Sequence, residues 1–484
     1  GAGPRVLGYA QVKGVLLTLD VLYIIWTALL LFHIADEAGA VRIIGERLPS
    51  LTADRMMQGL LLGWVFVSFL QGMGGFGVPV AVVAPLLVGL GFGPVQAVVM
   101  ASIGHGWAVT FGSLATSFMA LMAATDLPGE ILAPEAALLL GAASAVCGAI
   151  VAHAGSGWKG MLRGLPAILT LSAVMGVVQY LLATHGLWTL GATGAALAGL
   201  VVGVGLTRLP LYHHAHDEEK ATIAEGLADA PADAPPDDGK QRSLVISLSA
   251  YAVLIALAFA INLIPPVKTL FNSVRLTLQF PELVTAQGWV TPAGPGRRIS
   301  LFGHPGAILL YTSLIAYGIY QVAGYYQPGA AGRILTKVAR GAVKSSLGIA
   351  AMVGMATIMS HAGMTNLLAQ GISASVGQAA YPAVAPFVGA LGAFMTGSNT
   401  NSNVVFGALQ QQTAELLGLS VTLILAAQTA GGALGSVLAP AKVIVGCSTV
   451  GLGGKEGDVI SRMLSYGLIP IGLVALLAWL LATF

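Results

Sequence analysis

Two polar clusters set inside apolar sequence hold the residues most able to do chemistry. The denser is Thr396-Gly397-Ser398-Asn399-Thr400-Asn401-Ser402-Asn403, in which seven of eight residues carry a hydroxyl or an amide. Such short side chains can offer oxygen ligands to a small cation, Na+ at Ser398, Asn399 and Thr400 being one reading with no firm metal site, or donors to a carboxylate. Apolar residues flank it on both sides, from Ala383 to Met395 and from Val404 to Leu409, which argues against an ordinary solvated loop. The second cluster is Gln71-Gly72-Met73-Gly74-Gly75-Phe76-Gly77-Val78-Pro79. Glycine lets backbone approach a ligand closely, and a helix starting there attracts an anion, so Gln71, Gly74, Gly75, Phe76 and Gly77 are candidate binding residues. The bland alternative is a glycine-rich packing seam. His105 and Lys442 are ionisable groups in apolar surroundings, costly unless paired or functional. Lys442 could balance a bound carboxylate, against the alternative that it snorkels, and His105 could take up a proton or donate to substrate, against a satisfied structural histidine. Asp20 and His361 have weaker claims, and His213, His214 and His216 read as part of a flexible loop rather than a metal site.

The elements that must position these residues are membrane helices. Of 484 residues 56% are hydrophobic and 9% charged, far below the roughly 25% of a soluble domain. Mean hydropathy is +0.84, and apolar blocks recur at about the 20-residue length that crosses hydrocarbon. Stretches such as Leu244 to Ile264 are apolar without alternation, which excludes barrel strands. A net charge of +2 excludes a polybasic nucleic-acid binder, and Cys147 and Cys447 make no disulfide or zinc framework. The chain has 64 glycines, a surplus that suits close helix packing and broken helices in a bilayer. It opens Gly-Ala-Gly-Pro without Met, so upstream residues are expected to be missing.

Loop charge orients the spans. Arg333, Lys337, Arg340 and Lys344 occur with no acid between Gln327 and Lys344, which places that loop in the cytoplasm. Counting from it puts 265–305 and the loop with Asp126 outside. Asp217 to Arg242 carries 11 of the 42 charged residues, so 208–243 reads as a disordered cytoplasmic loop. On either side of a scaffold at 154–344, two stretches share one order of elements. Residues 1–153 should hold a helix, a re-entrant hairpin at 57–92, a helix broken within 94–124 and a final helix. Residues 345–484 repeat this plan with a hairpin at 383–417 and a broken helix within 419–454, the second break lying at Gly431 to Ser436 and Pro440 to Lys442. Non-helical backbone survives at mid-membrane only where protein buries it or it lines a cavity, so paired breaks point to a binding site. The units start on opposite sides, as in inverted-repeat transporters.

In FLQGMGGFGVPVAVVAPLLVGLGF (69–92) and LGAFMTGSNTNSNVVFGALQQQTAELLG (391–418), continuing through Gly431 to Asp458, the chain resembles the lactate permease family of L-lactate and glycolate permeases. The resemblance implies membership of a broad ion-transporter superfamily, an all-α inverted-repeat fold with two re-entrant hairpins and two broken helices, and proton symport. The Ser398-Asn399-Thr400 tip is similar to tips that hold cation and carboxylate in sodium/dicarboxylate symporters. Gln71 and Asn399 stand where the family usually has Glu and Asp, Ser436 where it has Lys, and His105 where it tends to have Asn.

The expectation is therefore a multi-pass protein of the bacterial inner membrane, not an enzyme. It would be a secondary active symporter importing a small organic anion, a 2-hydroxy monocarboxylate such as lactate or glycolate, without a cofactor and with H+ or Na+ as coupling ion. The substrate would lie between the hairpin tips, on Gln71, Gly74, Gly75, Phe76, Gly77, His105, Ser398, Asn399, Thr400, Asn401, Ser402, Asn403 and Lys442. The bilayer is the expected partner, nucleic acid is not, and a homo-oligomer is left open. The alternatives are sodium-coupled uptake of a dicarboxylate or sulfonated acid and, more remotely, an intramembrane enzyme or a channel.

Overall fold

The computed structural model describes residues 2–40, 43, 52–75, 77–212, 243–296, 299–452 and 454–484. Most of the 208–243 loop, and Phe76 at the first tip, lie outside them. Among the described residues, eight helices are long and apolar enough to cross a membrane, and a ninth candidate is a bent pair, Val245–Ile261 with Pro265–Phe271.

Helix α1 (Pro4–Glu37) is continuous. Helix α2 (Arg55–Met73) starts at Asp54, whose carboxylate accepts from Met57 N at 2.8 Å, and contains a π-helical stretch at Leu61–Phe66. It is longer than its apolar run suggests, with 19 residues, and is almost wholly buried. The chain breaks at Gly74, and Gly77, at φ 85°, caps the shorter α3 (Val78–Gly89). Helix α4 (Pro94–Gly104) leads into turns and then α5 (Thr116–Thr125). Between them Ser113, Leu114 and Ala115 all have left-handed backbone, at φ 46°, 57° and 62°. For residues with a Cβ that costs roughly 1–2 kcal/mol each, so the surroundings must impose it. They do: Ser113 N donates to Gln71 O at 2.7 Å and Leu114 N to Gly72 O at 3.0 Å. The first hairpin's tip thus dictates the turn.

Helix α6 (Gly129–Thr184) is bent at Gly157, and α7 (Gly191–Leu206) follows. Helices α8 (Leu244–Leu263) and α9 (Pro265–Phe271) lead to three short antiparallel strand pairs, Arg275–Leu276 with Ile299–Ser300, Gln279–Phe280 with Gly294–Pro295 and Leu283–Val284 with Val290–Thr291. The sequence signalled only a long loop here, because two-residue strands leave no readable alternation. Helix α10 (Pro305–Val322) and α11 (Ala330–His361) come next, and Arg333 and Lys337 reach Glu37 at the end of α1, at 2.7 and 3.1 Å.

Helix α12 (Met364–Thr396) kinks at Gly377, so its second part pairs with α13 (Asn399–Leu417) across Gly397 and Ser398. Helix α14 (Val421–Ser436) runs through the centre, then Val437 to Ala439 break it from α15 (Pro440–Thr449), and α16 (Glu456–Thr483) closes the chain. The second break is therefore later than the glycines implied: Gly431 to Ser436 stay helical. Those glycines are a packing seam. A Cβ on Gly431 would overlap Pro386 O, one on Gly435 would overlap Ala390 O, and one on Gly389 of α12 would overlap Gln428 O. Without apolar transfer to drive helices together in lipid, such close approach of small residues holds α14 against the hairpin.

Candidate functional site

The candidate functional centre is where the start of α13 meets the first break and α14. Ser398 caps α13, its hydroxyl accepting from Asn401 N at 3.2 Å, and helical spacing then places Asn399 and Asn403 on one face with Thr400 beside them. Asn403 Nδ2 donates to Ser117 O at 2.9 Å and to Thr429 Oγ1 at 2.8 Å. Asn399 Nδ2 donates to Thr110 Oγ1 at 3.1 Å and lies 3.4 Å from Thr429 Oγ1. Thr110 Oγ1 in turn donates to Thr429 O at 3.1 Å and meets Thr429 Oγ1 at 3.2 Å, while Ser117 Oγ and Thr400 Oγ1 are 3.1 Å apart.

The amide orientation follows from this network. Ser117 O can only accept, so Asn403 must present its NH2, and Thr110, whose proton goes to Thr429 O, can accept from Asn399. Both amide oxygens are therefore turned away from the hydroxyls, and Asn399 Oδ1 and Asn403 Oδ1 are buried without partners. Buried polar atoms normally have partners, so this orphaned pair on one helix face makes the junction the candidate site. Asn399 Oδ1 lies against Gly432, where a Cβ would overlap it.

Helices α5 and α13 also begin together, as the Ser117–Thr400 contact shows. First-turn N–H groups lack intrahelical acceptors; Thr116 N, Phe118 N and Asn401 N find Ser113 O, Thr110 O and Ser398 Oγ, so the two helix starts offer a carboxylate the N–H groups of Ser117, Asn399 and Thr400 and their positive partial charge.

The other expected residues divide by role. Ser402 is structural: its hydroxyl donates to Gly389 O at 2.8 Å and accepts from Gln428 Nε2 at 3.1 Å. Asn401 has an unpartnered oxygen but points to the opposite side of α13 from Asn399 by helical spacing, so the six tip residues do not act as one set. Gln71 packs its amide near Gly75 and its main chain near Gly112. Gly74 N–H closes α2 on Leu70 O and is not free for a ligand, and Gly75 O and Gly77 O accept from Val78 and Ala81. His105 is buried with Nδ1 2.7 Å from Ala101 O, a structural contact at the end of α4. Lys442 is half-buried and returns its ammonium to Ser436 Oγ at 3.1 Å. The charge thus arrives beside the position where the family resemblance expects Lys.

Thr110, Ser117 and Thr429 were not singled out as binding residues. A Gln-Thr pair inside the apolar run of α14, Gln428 and Thr429, is the signal that could have found the last of them. A second, satisfied chain supports the centre: Tyr381 OH donates to Gln410 Oε1 at 2.6 Å, and Gln410 Nε2 donates to Gln428 Oε1 at 2.9 Å. Among the described residues, no group of three or more His, Cys, Asp or Glu side chains could hold a metal ion.

Comparison with known proteins bears on this arrangement. A family model described as L-lactate permease matches residues 3–484. An L-lactate permease of Bacillus subtilis is 28% identical over 488 residues, covering 95% of this chain and 84% of that protein. A glycolate permease of Escherichia coli is 27% identical over 493 residues, covering 97% and 86%. Among solved structures, the YdaH transporter of Alcanivorax borkumensis superposes with a TM-score of 0.49 at 17% identity, covering 94% of this chain and 84% of that one.

Proposed function

The chain belongs to the L-lactate permease family, a family of multi-pass inner-membrane permeases rather than enzymes, and from that premise we propose that it is a symporter for a small 2-hydroxy monocarboxylate, lactate or glycolate. The observation that carries the proposal is the junction of Asn399, Asn403, Thr110, Ser117 and Thr429, with two orphaned amide oxygens beside two converging helix starts.

The substrate carboxylate takes the main-chain N–H groups of Asn399, Thr400 and Ser117, since those of Asn401, Thr116 and Phe118 already donate to Ser398 Oγ, Ser113 O and Thr110 O, together with the hydroxyls of Thr400 and Ser117, with the Lys442 ammonium as compensating charge. The orphaned oxygens of Asn399 and Asn403 are ligands for a cation or acceptors for a substrate hydroxyl. Gln71 and Asn399 are amides and cannot carry a proton, so this oxygen-rich junction favours Na+ as the coupling ion over a proton relay through those positions. Alternating access moves the two helical hairpins and broken helices, as inverted repeats, past the intact helices.

The test is uptake of labelled lactate and glycolate into proteoliposomes, with pH and sodium gradients imposed separately. Concentrative uptake driven by sodium is expected, lost in Asn399→Ala. Accumulation under neither gradient would overturn symport of these substrates, and accumulation under a pH gradient alone would overturn the sodium assignment.

A further inference from the structure

A cavity of about 220 Å³ lies apart from this junction, at the end of the molecule that the charge rule places outside. It is formed by α1, the ends of α5 and α11, the start of α12 and the flank of α13, with Pro295 and Gly296 of the strand-bearing loop at its rim. Its chemistry is concentrated in Lys13, His361, Ser360 and Thr357. Lys13 holds its ammonium 5.0 Å from the ring centroid of Phe280, and no carboxylate among the described residues pairs with it within 4 Å. Asp126 lines the cavity as well; it is exposed and acts on the Lys13 charge without reaching ion-pair distance.

His361 supplies the second observation. It is 8% exposed, and its Nε2 is buried with no partner. Its Nδ1 lies 2.8 Å from Thr357 O, which can only accept, so Nδ1 carries the proton and Nε2 of the neutral ring is an acceptor. His361, with an unfilled acceptor, and Lys13, whose charge is balanced only at a distance by Asp126, thus line one small cavity. A ligand that satisfies both carries an anionic group and an O–H or N–H donor, of which a hydroxyl is the one a 2-hydroxy acid supplies. The volume is below the roughly 300–1,000 Å³ of pockets for drug-sized molecules, which suits a compound of a few carbon atoms.

We propose that this cavity is a second, outer binding site for a 2-hydroxy monocarboxylate, in which Lys13 takes the carboxylate and His361 Nε2 accepts the 2-hydroxyl. The identity of the ligand rests on the transport reading above; the polarity of the site does not. Its wall includes Val404 of α13, which follows Asn403 directly, and Ala123 and Ala124 of α5, about two turns beyond Ser117. A substrate held there sits along the same α5–α13 seam that starts at the central junction, and the site selects for the hydroxyl before the substrate moves inward.

The test uses the full chain in proteoliposomes bearing Ser360→Cys, modified from outside with a membrane-impermeant methanethiosulfonate. The native Cys147 and Cys447 are buried. Lactate and glycolate should slow modification, propionate at least tenfold less effectively at equal concentration. Lys13→Ala in this background should raise the half-protecting lactate concentration at least tenfold, with Lys13→Arg restoring most of it. His361→Leu should remove the preference for lactate over propionate. Adding Asn399→Ala, which disables the central junction, should leave protection within about twofold. Equal protection by propionate, or protection lost with Asn399→Ala but kept with Lys13→Ala, would overturn the outer site. Lactate flux without any protection would overturn it too, whereas protection in a chain that moves no lactate would leave the site standing and overturn the transport reading.

Discussion

Replacing Thr429 by Val removes one hydroxyl from the centre and almost nothing else, because Val keeps the branched shape of a fully buried side chain. Asn403 Nδ2 loses its 2.8 Å bond but keeps Ser117 O, and Asn399 Nδ2 loses a 3.4 Å contact but keeps Thr110 Oγ1. Thr110 still donates to the main-chain oxygen of residue 429. A buried hydrogen bond is worth about 0.5–1.5 kcal/mol net, so one good and one long bond amount to about 1–2 kcal/mol. Ser117 O and Thr110 Oγ1 still set which way the two amides face, but the Thr429 bonds hold them in place, so the loss should appear in substrate or ion affinity. At about 1.4 kcal/mol per decade, half-saturating concentrations should rise about 5–30-fold. Uptake kinetics in proteoliposomes, with thermal melting in detergent as a check on folding, measure it, and Thr429→Ser is the control that restores the hydroxyl. A folded Val variant within twofold of the parent would refute the assignment of Thr429 to the site. A Ser variant as impaired as Val would assign the effect to packing of the methyl group.

Other substitutions probe the frame around the site. Gly431→Ala should lower the stability by about 1–3 kcal/mol or more, because the new Cβ overlaps Pro386 O and α14 must move off the hairpin; a melting temperature equal to the parent's would contradict the packing seam. Gln410→Leu takes the acceptor from Tyr381 OH, which keeps only Thr413, and the donor from Gln428 Oε1 and Ala385 O in a buried setting, a loss of about 1–3 kcal/mol, and a melt in detergent should show it while Tyr381→Phe in the same chain recovers part of it. His304→Ala should destabilise by about 1.5–3 kcal/mol, since His304 Nε2 donates to the buried Asp20 Oδ1 at 3.0 Å and its Nδ1 accepts from Gly306 N at 3.2 Å; unchanged melting would show that this contact between α1 and α10 contributes nothing.

Much of the molecule was readable from one chain because a bilayer enforces strong rules. Apolar length, the scarcity of charge and the polar breaks announced the membrane helices, the helix starting at Ser398 and the turn between α4 and α5, since polar residues inside hydrocarbon need a reason to be there. The acidic and basic ends of α1 and α11 were visible as charges, although their pairing, Glu37 with Arg333 and Lys337, was not. Glycine misled in one place for a physical reason: the same residue permits a break in a helix and a close approach between two intact ones. Composition cannot separate those uses, and only the neighbouring Pro386 and Ala390 carbonyls show that Gly431 and Gly435 serve the second.

The sequence by itself determined the medium, the class of fold and the family, and it named Asn399, Thr400 and Asn403 as candidates because short polar side chains are rare in apolar sequence. Tertiary structure decided which of the six tip residues meet at one junction, since helical rotation turns Asn401 away and the Gly389 carbonyl claims Ser402. It also supplied Thr110, Ser117 and Thr429 from stretches hundreds of residues away or across a hairpin, and with them the direction of two amide groups. Lys13 and His361 meet around one cavity for the same reason. Hydrogen-bond direction and cavity walls are properties of groups brought together in space, and no local pattern along the chain encodes which partners those will be.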